Sequence, residues 1–189
     1  MRIGVVGLPD GWSTQRLAAA VVARTGQVAV LEPRQLTAEL GARRVTNGAV
    51  DVSGLDAVVV KKLGARYAPA LLDRLEVLRV LEAGGVRVFS TPGAIGRALN
   101  RLSCTVTLRL ADIPMPATVI TEDLEAGAAA VRRFGRAVLK PLYTSKARGM
   151  QVLRADEDVY ERLVSFRAAG NPVLYIQEFV ELGGRDYGI

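Results

Sequence analysis

The chain has 189 residues, half of them apolar, which suits one or two domains with a buried core. Because it has no histidine and one cysteine, an internal disulfide and the histidine-dependent sites of zinc enzymes and serine hydrolases are excluded, and any metal would need oxygen ligands. The net charge of +6 is compatible with binding a polyanion. Aromatic residues, however, make up only 5% of the chain and do not alternate with basic residues as in proteins that stack bases. We therefore expect a nucleotide or another anionic substrate as the ligand, and no nucleic acid.

The apolar runs of the sequence are too short for a membrane span. Residues 18–23 and 57–60 are examples, and charged residues soon interrupt each run. The amino terminus passes directly into a strand-like pattern and lacks the cleavage site of a signal peptide. We therefore expect no membrane partner and a cytoplasmic location.

Strand-like and helix-like segments alternate through the first half of the chain. Strands are predicted over residues 2–8, 27–32, 56–63 and 86–89, and helices over 14–24 and 69–83. This alternation is typical of an α/β domain with a parallel sheet. Between these segments, Asn47-Gly48 is a hairpin turn signal and predicts a small β excursion within residues 43–53.

The pattern changes after Pro92-Gly93, which predicts domains over residues 1–92 and 93–189. The second region reads as α+β. Helices are predicted over residues 94–111, 124–134 and 156–169, strands over 117–120, 137–141, 150–154 and 173–180, and a polar loop over 143–149.

Two features of the second region carry chemistry. Lys140 ends an apolar strand directly before the polar loop, where amides, a hydroxyl and cations together suit phosphate oxygens. An ordinary exposed hairpin is the alternative interpretation. Glu178 lies within an apolar strand, where a carboxylate is costly without a partner, although strand ends often expose charge.

Together these segments resemble the ATP-grasp superfamily, and within it the RimK-type glutamate ligases. The resemblance is carried by residues 140–150, with Lys-Pro-Leu and the loop, and by 176–180 and 184–186, with Ile-Gln-Glu-Phe-Val and Gly-Arg-Asp. It implies an α/β fold: a Rossmann-like parallel-sheet preATP-grasp domain followed by the α+β amino-terminal ATP-grasp subdomain. Residues 100–102 and 113–116 match the segment that precedes the lysine strand in that family.

The resemblance implies that ATP is bound from two sides. Arg101 and Lys140 would contact the α- and β-phosphates, since either cation neutralises phosphate. Ser145 and the backbone amides up to Gly149 would cover the phosphates.

The nucleoside would lie against the last predicted strand. By the resemblance, Glu178 faces the adenine amino group, and the backbone of Phe179 and Val180 pairs with the adenine edge. Asp186 would accept hydrogen bonds from the ribose hydroxyls, and Lys62 of the first domain would lie toward the acceptor substrate. A solvated charge at a strand end is the alternative interpretation of Lys62.

Two departures from the family pattern concern the phosphates. Thr144 and Ala147 stand where glycine is common, which restricts close approach of the backbone to phosphate. Arg101 replaces the usual lysine. We expect weaker nucleotide binding by the loop, or a greater contribution from Lys146 and Arg148.

In the reaction that the resemblance implies, ATP phosphorylates a carboxylate and an amine attacks the acylphosphate. The acceptor would be a small-molecule or protein carboxylate, and the amine that of an amino acid such as glutamate. The family's Mg²⁺ ligands follow residues 185–186 by several strands, so the resemblance places them, with the carboxy-terminal ATP-grasp subdomain, beyond Ile189. We assign no catalytic residue and no metal ligand, and expect no ligation by this chain alone.

Two other functions remain open on the residues alone. One is a nucleotide-binding module without catalysis. The other is a dinucleotide site in the first turn, which is disfavoured because Gly4, Gly7 and Gly11 have the wrong spacing and Pro9 occupies the turn.

Overall fold

The computed structural model describes residues 1–144 and 147–184. The chain divides into two compact units, Met1–Leu99 and Asn100–Ile189. Residues 93–99 thus group with the first unit, later than the predicted boundary after Pro92. The reason is that Ile95 and Leu99 pack against the first hydrophobic core. In the part of the chain that the structure describes, no helix is long and apolar enough to cross a membrane.

The first unit contains a parallel sheet with strand order β2-β1-β6-β7. Its elements are β1 (Ile3–Val6), α1 (Trp12–Thr25), β2 (Ala29–Leu31), β3 (Leu36–Glu39), β4 (Arg44–Asn47), β5 (Val50–Asp51), β6 (Ala57–Val60), α2 (Ala70–Ala83), β7 (Arg87–Phe89) and α3 (Pro92–Leu99). The parallel pairing of β1 with β2 and β6, and of β6 with β7, confirms the predicted α/β class.

The predicted β excursion is a three-stranded antiparallel sheet, β3-β4-β5. Asn47-Gly48 turns the chain between β4 and β5, and Gly48 has a φ of 57°, which glycine adopts without strain. Strand β3 was not predicted. Only Leu36 and Ala38 of its four residues pack against the core, too few to make a recognisable alternation.

Leucines of α2 fill much of the first core. Leu71, Leu75 and Leu78 follow the helical repeat and are buried against the strands. Leu72 also belonged to the predicted stripe, but its side chain is 49% exposed because it lies outside the i, i+4, i+7 row.

The second unit contains an antiparallel sheet with strand order β10-β9-β11-β8. Its elements are α4 (Arg101–Leu110), β8 (Thr118–Thr121), α5 (Leu124–Phe134), β9 (Arg136–Leu139), β10 (Gln151–Arg154), α6 (Val159–Ala168) and β11 (Leu174–Glu178). The α+β prediction is confirmed. The single helix predicted over residues 94–111 is wrong, because Asn100 begins a new helix: its Oδ1 accepts a hydrogen bond from the Ser103 amide at 2.9 Å.

Helices α5 and α6 pack on one face of this sheet. Leu139, Leu153 and Ile176 point into that core and meet Phe166 of α6. Helix α5 approaches closely at Gly127, where a Cβ atom would lie 2.9 Å from Leu174 Cδ1. Because side chains alternate along a strand, the neighbours of these core residues point to the opposite face.

We name this opposite side of the sheet the polar face. It carries Thr118, Val138, Lys140, Tyr175 and Gln177, as the pairing of Gln177 with Val138 and Thr118 shows. Lys140 joins it because its amide donates to the Tyr175 carbonyl at 2.9 Å.

Candidate nucleotide-binding site

Lys140 is a half-buried cation held in place by the sheet. It directly follows β9, and its Nζ donates a hydrogen bond to Gln177 Oε1 at 2.5 Å. Nζ also lies 5.9 Å from the centre of the Tyr175 ring. Burial first, and the nearby Arg101 guanidinium second, lower the pKa of Lys140. An anion placed here would offset both effects, so the position favours a phosphate or carboxylate ligand.

A row of polar side chains extends from Lys140 across three strands. Gln177 accepts from Lys140 and donates through Nε2 to Thr118 Oγ1 at 2.9 Å. Gln177 is buried, so its amide needs these partners. Sequence reasoning missed Gln177. The sequence did contain a signal for Gln177, because it is the one amide in the apolar run of β11. It directly follows the core-facing Ile176, so its side chain points to the opposite face of the strand.

Helix α4 is fastened to the polar face by a buried hydroxyl pair. Thr105 Oγ1 lies 2.9 Å from the Tyr175 hydroxyl and donates to the Arg101 carbonyl at 2.9 Å. A threonine hydroxyl has one proton, so the Tyr175 hydroxyl is the donor in the pair. This contact sets the position of the first turn of α4, where Arg101 begins the helix.

The Arg101 guanidinium braces the start of the loop after β9. It donates to the carbonyl oxygens of Pro141 and, at 3.1 Å, Thr144. Arg101 was expected to contact phosphate, but in this structure its guanidinium binds these two loop carbonyls. A lysine, with a single compact ammonium, would not hold two carbonyls of the loop in the same fork geometry.

The polar loop turns back through two residues in the left-handed region. Ala147 has a φ of 57° and Gly149 a φ of 71°. Glycine at 149 adopts this without strain, whereas alanine at 147 carries a steric cost. Thr144 Oγ1 donates to the Arg148 carbonyl at 2.9 Å and closes the turn. Ser145 and Lys146 lie outside the described residues.

The structure does not bring Glu178 to Lys140. Glu178 pairs with Ala137, which is fully buried in the core beside α5 and α6, so strand alternation turns Glu178 to the helix side of the sheet. Gln177 occupies the position beside Lys140 instead. Asp186, predicted for the ribose, lies outside the described residues.

The segment after β11 is partly engaged with the sheet. The Phe179 amide donates to the Arg136 carbonyl at 3.0 Å, and the Glu178 amide donates to the Ala117 carbonyl at 2.8 Å. The Phe179 amide is thus not available to an adenine edge as the structure stands. Val180 is 47% exposed, and its proposed contact with adenine stays a prediction.

Lys62 belongs to the first unit. Its side chain is exposed, and its amide donates to the Val6 carbonyl at 3.1 Å, beside the end of β6. Its predicted position toward the acceptor stays a prediction. The glycines of the first turn serve packing: a Cβ at Gly7 would lie 2.5 Å from Thr14 Oγ1.

Among residues 1–144 and 147–184, no group of three or more aspartate, glutamate, cysteine or histidine side chains is placed to hold a metal ion.

No protein-family model matches the chain. The tetrahydromethanopterin:alpha-L-glutamate ligase of Methanosarcina acetivorans is 35% identical to it over 153 residues, which are 74% of this chain and 46% of the ligase. The RimK domain protein ATP-grasp of Sphaerobacter thermophilus matches with a TM-score of 0.70 and 25% identity, over 96% of this chain and 64% of that one. The chain is related to the RimK-like ATP-grasp ligases.

The ATP-grasp ligase PsnB, in a structure with minimal precursor, Mg and ADP, shares the fold of this chain. The TM-score is 0.68 at 21% identity, over 95% of this chain and 65% of PsnB. The chain thus spans about half the length of the curated ligase from Methanosarcina acetivorans and about two thirds of the two solved structures.

Proposed function

We propose that this chain is the nucleotide-binding part of an ATP-dependent carboxylate-amine ligase. In the whole enzyme, the γ-phosphoryl group of ATP passes to a carboxylate, and an amine then displaces the phosphate and forms an amide. The observation that supports this most is the row of Lys140, Gln177 and Thr118 on the polar face, in a chain 35% identical to a glutamate ligase.

The chemistry of the row suits the two ends of ATP. Lys140 supplies a positioned charge for phosphate oxygens, and its contact with Gln177 is exchanged for a stronger contact with an anion. Once Lys140 turns to phosphate, Gln177 Oε1 is free to accept a hydrogen bond from the adenine amino group, while Nε2 remains bonded to Thr118 Oγ1. We therefore assign Gln177 the adenine contact that the sequence had suggested for Glu178.

The remaining assignments follow the relatives. A glutamate ligase relative supports an amino acid such as glutamate as the amine. We keep the sequence-based expectation that Lys62 lies toward the carboxylate acceptor. Magnesium accompanies ADP in PsnB, and we expect it with ATP here. Because ATP is the substrate, we place the reaction in the cytoplasm. The alternative of a non-catalytic nucleotide module is not favoured, because these relatives are named as ligases.

The test is to map ATP on the chain by amide chemical shifts. We expect shifts at residues 138–144 and 176–180, where the polar face and the segment after β11 lie, and little change at the β4–β5 turn around Gly48. The Lys140→Ala variant serves as the matched sample and should show much smaller shifts at the same subsaturating ATP concentration. Shifts confined to the first unit, or unchanged in Lys140→Ala, would contradict the proposed site.

A further inference from the structure

Arg136 makes three contacts to the segment that follows β11. Its carbonyl accepts the Phe179 amide at 3.0 Å. Its guanidinium carbon lies 3.6 Å from the centre of the Phe179 ring, and its Nη1 donates to Glu181 Oε1. One residue of β9 therefore contacts both Phe179 and Glu181.

These contacts begin where the strand pairing ends. The last pair between β11 and β9 is Glu178 with Ala137, so the ladder itself does not hold the residues beyond. Arg136 precedes Ala137, and its carbonyl accepts one more hydrogen bond, from the Phe179 amide. Its side chain extends to Glu181, two residues beyond Phe179. Segment 179–181 is thus held by both the backbone and the side chain of Arg136.

The stacking contact matters more than the ion pair. The side chain of Glu181 is 77% exposed and that of Arg136 42% exposed, so water screens their attraction. The planar guanidinium covers the ring of Phe179, a contact that a lysine ammonium reproduces poorly. Arg136 Nε is buried and has no hydrogen-bond partner in the described part of the chain, which shows how closely the guanidinium packs.

We infer that Arg136 is a positioning residue for the base end of the nucleotide site. This rests on the proposed function together with the predicted contact between the Val180 backbone and the adenine edge. In the proposed site, Lys140 binds the phosphate end, and its ammonium is positioned by Gln177 and not by segment 179–181. The loss of Arg136 should therefore weaken the binding of a whole nucleotide and spare that of a ligand that has phosphates only.

The experiment compares ATP with inorganic tripolyphosphate by calorimetric titration at constant ionic strength. The variants are Arg136→Met, Arg136→Lys and Glu181→Gln. The matched control is Arg133→Met, because Arg133 also lies over a phenylalanine, Phe134, at 5.0 Å, and its loss changes the net charge equally.

We expect Arg136→Met to weaken ATP about fivefold relative to tripolyphosphate, since an exposed cation–π contact has about that effect on an equilibrium. Arg136→Lys should give part of this loss, Glu181→Gln less than about twofold, and Arg133→Met no change in the ratio. A merely structural role would lower the thermal stability of Arg136→Met and leave the ratio unchanged.

The two proposals fail in different ways. If the wild-type chain binds ATP and Lys140→Ala binds it more weakly, while Arg136→Met and Arg136→Lys keep the wild-type ratio, the positioning role is overturned and the proposed function stands. If the wild-type chain binds no ATP, or Lys140→Ala binds it equally well, the proposed function is overturned and the positioning role with it.

Discussion

The Lys140→Ala variant gives the sharpest test of the nucleotide site. Lys140 is fixed by its strand, since its amide bonds to Tyr175 and its ammonium to Gln177 before any ligand arrives. Little side-chain entropy is then lost on binding. Arg148 is the comparison, because it lies in the loop, is exposed, and loses rotamer freedom of up to about 2 kcal/mol if it is fixed on phosphate.

The expected magnitude follows from the contacts. A charge-assisted hydrogen bond contributes about 1.5 to 3 kcal/mol. Lys140 must give up its contact with Gln177 to reach phosphate, so the lower end of this range applies. A loss of about 1.5 kcal/mol weakens ATP binding about tenfold in Lys140→Ala. For Arg148→Ala, the entropy cost offsets most of the gain, and we expect about threefold or less.

The assay is calorimetric titration of ATP at one ionic strength, because salt screens exposed charges. Lys61→Ala is the control: it removes the same charge from an exposed position in the first unit. If Arg148→Ala loses more affinity than Lys140→Ala, the loop holds the phosphates and the reasoning from preorganisation is refuted. Equal losses in Lys140→Ala and Lys61→Ala would show that only net charge matters.

Three further predictions concern pH, packing and the hydroxyl pair. The pKa of Lys140 is lowered, so this lysine loses its charge at a lower pH than an ordinary lysine does. The affinity for ATP should therefore fall as the pH rises toward the usual lysine range. ATP titrations at several pH values should show this fall in the wild-type chain and not in Lys140→Arg. Gly127→Ala should destabilise the chain by about 1 kcal/mol, because the added Cβ overlaps buried leucine and isoleucine side chains. At the control position Gly96, the nearest atom would be 3.7 Å from an added Cβ, so Gly96→Ala should stabilise α3 by up to about 1 kcal/mol. Equal changes in the free energy of urea unfolding for the two variants would contradict the packing argument. Thr105→Val should lower the free energy of unfolding by about 1 to 3 kcal/mol, because it leaves the buried Tyr175 hydroxyl without its acceptor. The control Thr107→Val, on the exposed side of α4, should change the free energy of unfolding by less than about 0.5 kcal/mol.

Local sequence patterns predicted the elements whose signals are contained within a few residues. Leu71, Leu75 and Leu78 gave α2 its buried stripe. Helix α5 was predicted over the residues that form it, and Asp123 caps it by accepting from the amides of Glu125 and Ala126. The position of Lys140 at a strand end before a polar loop was equally visible. In all these cases, the deciding interactions join residues close in the chain.

The sequence was less informative where one residue changes the outcome. Asn100 divides the helix predicted over residues 94–111, because its side chain caps α4. Its effect is local, yet the apolar pattern on both sides continues through it. Strand β3 was missed for the opposite reason: its pattern is weak, and its pairing with β4 supplies the order.

The composition of the candidate site was decided by the tertiary structure. Gln177 and Glu178 are neighbours in the sequence, and both are polar residues in an apolar strand. The pairing of β11 with β9 and β8 turns Gln177 toward Lys140 and Glu178 toward the helix side. Strand side chains alternate with a period of two, so a register shift of one residue would exchange the two roles. Register is set by contacts between strands far apart in the chain, which is why the sequence located the lysine but the folded sheet selected its partner.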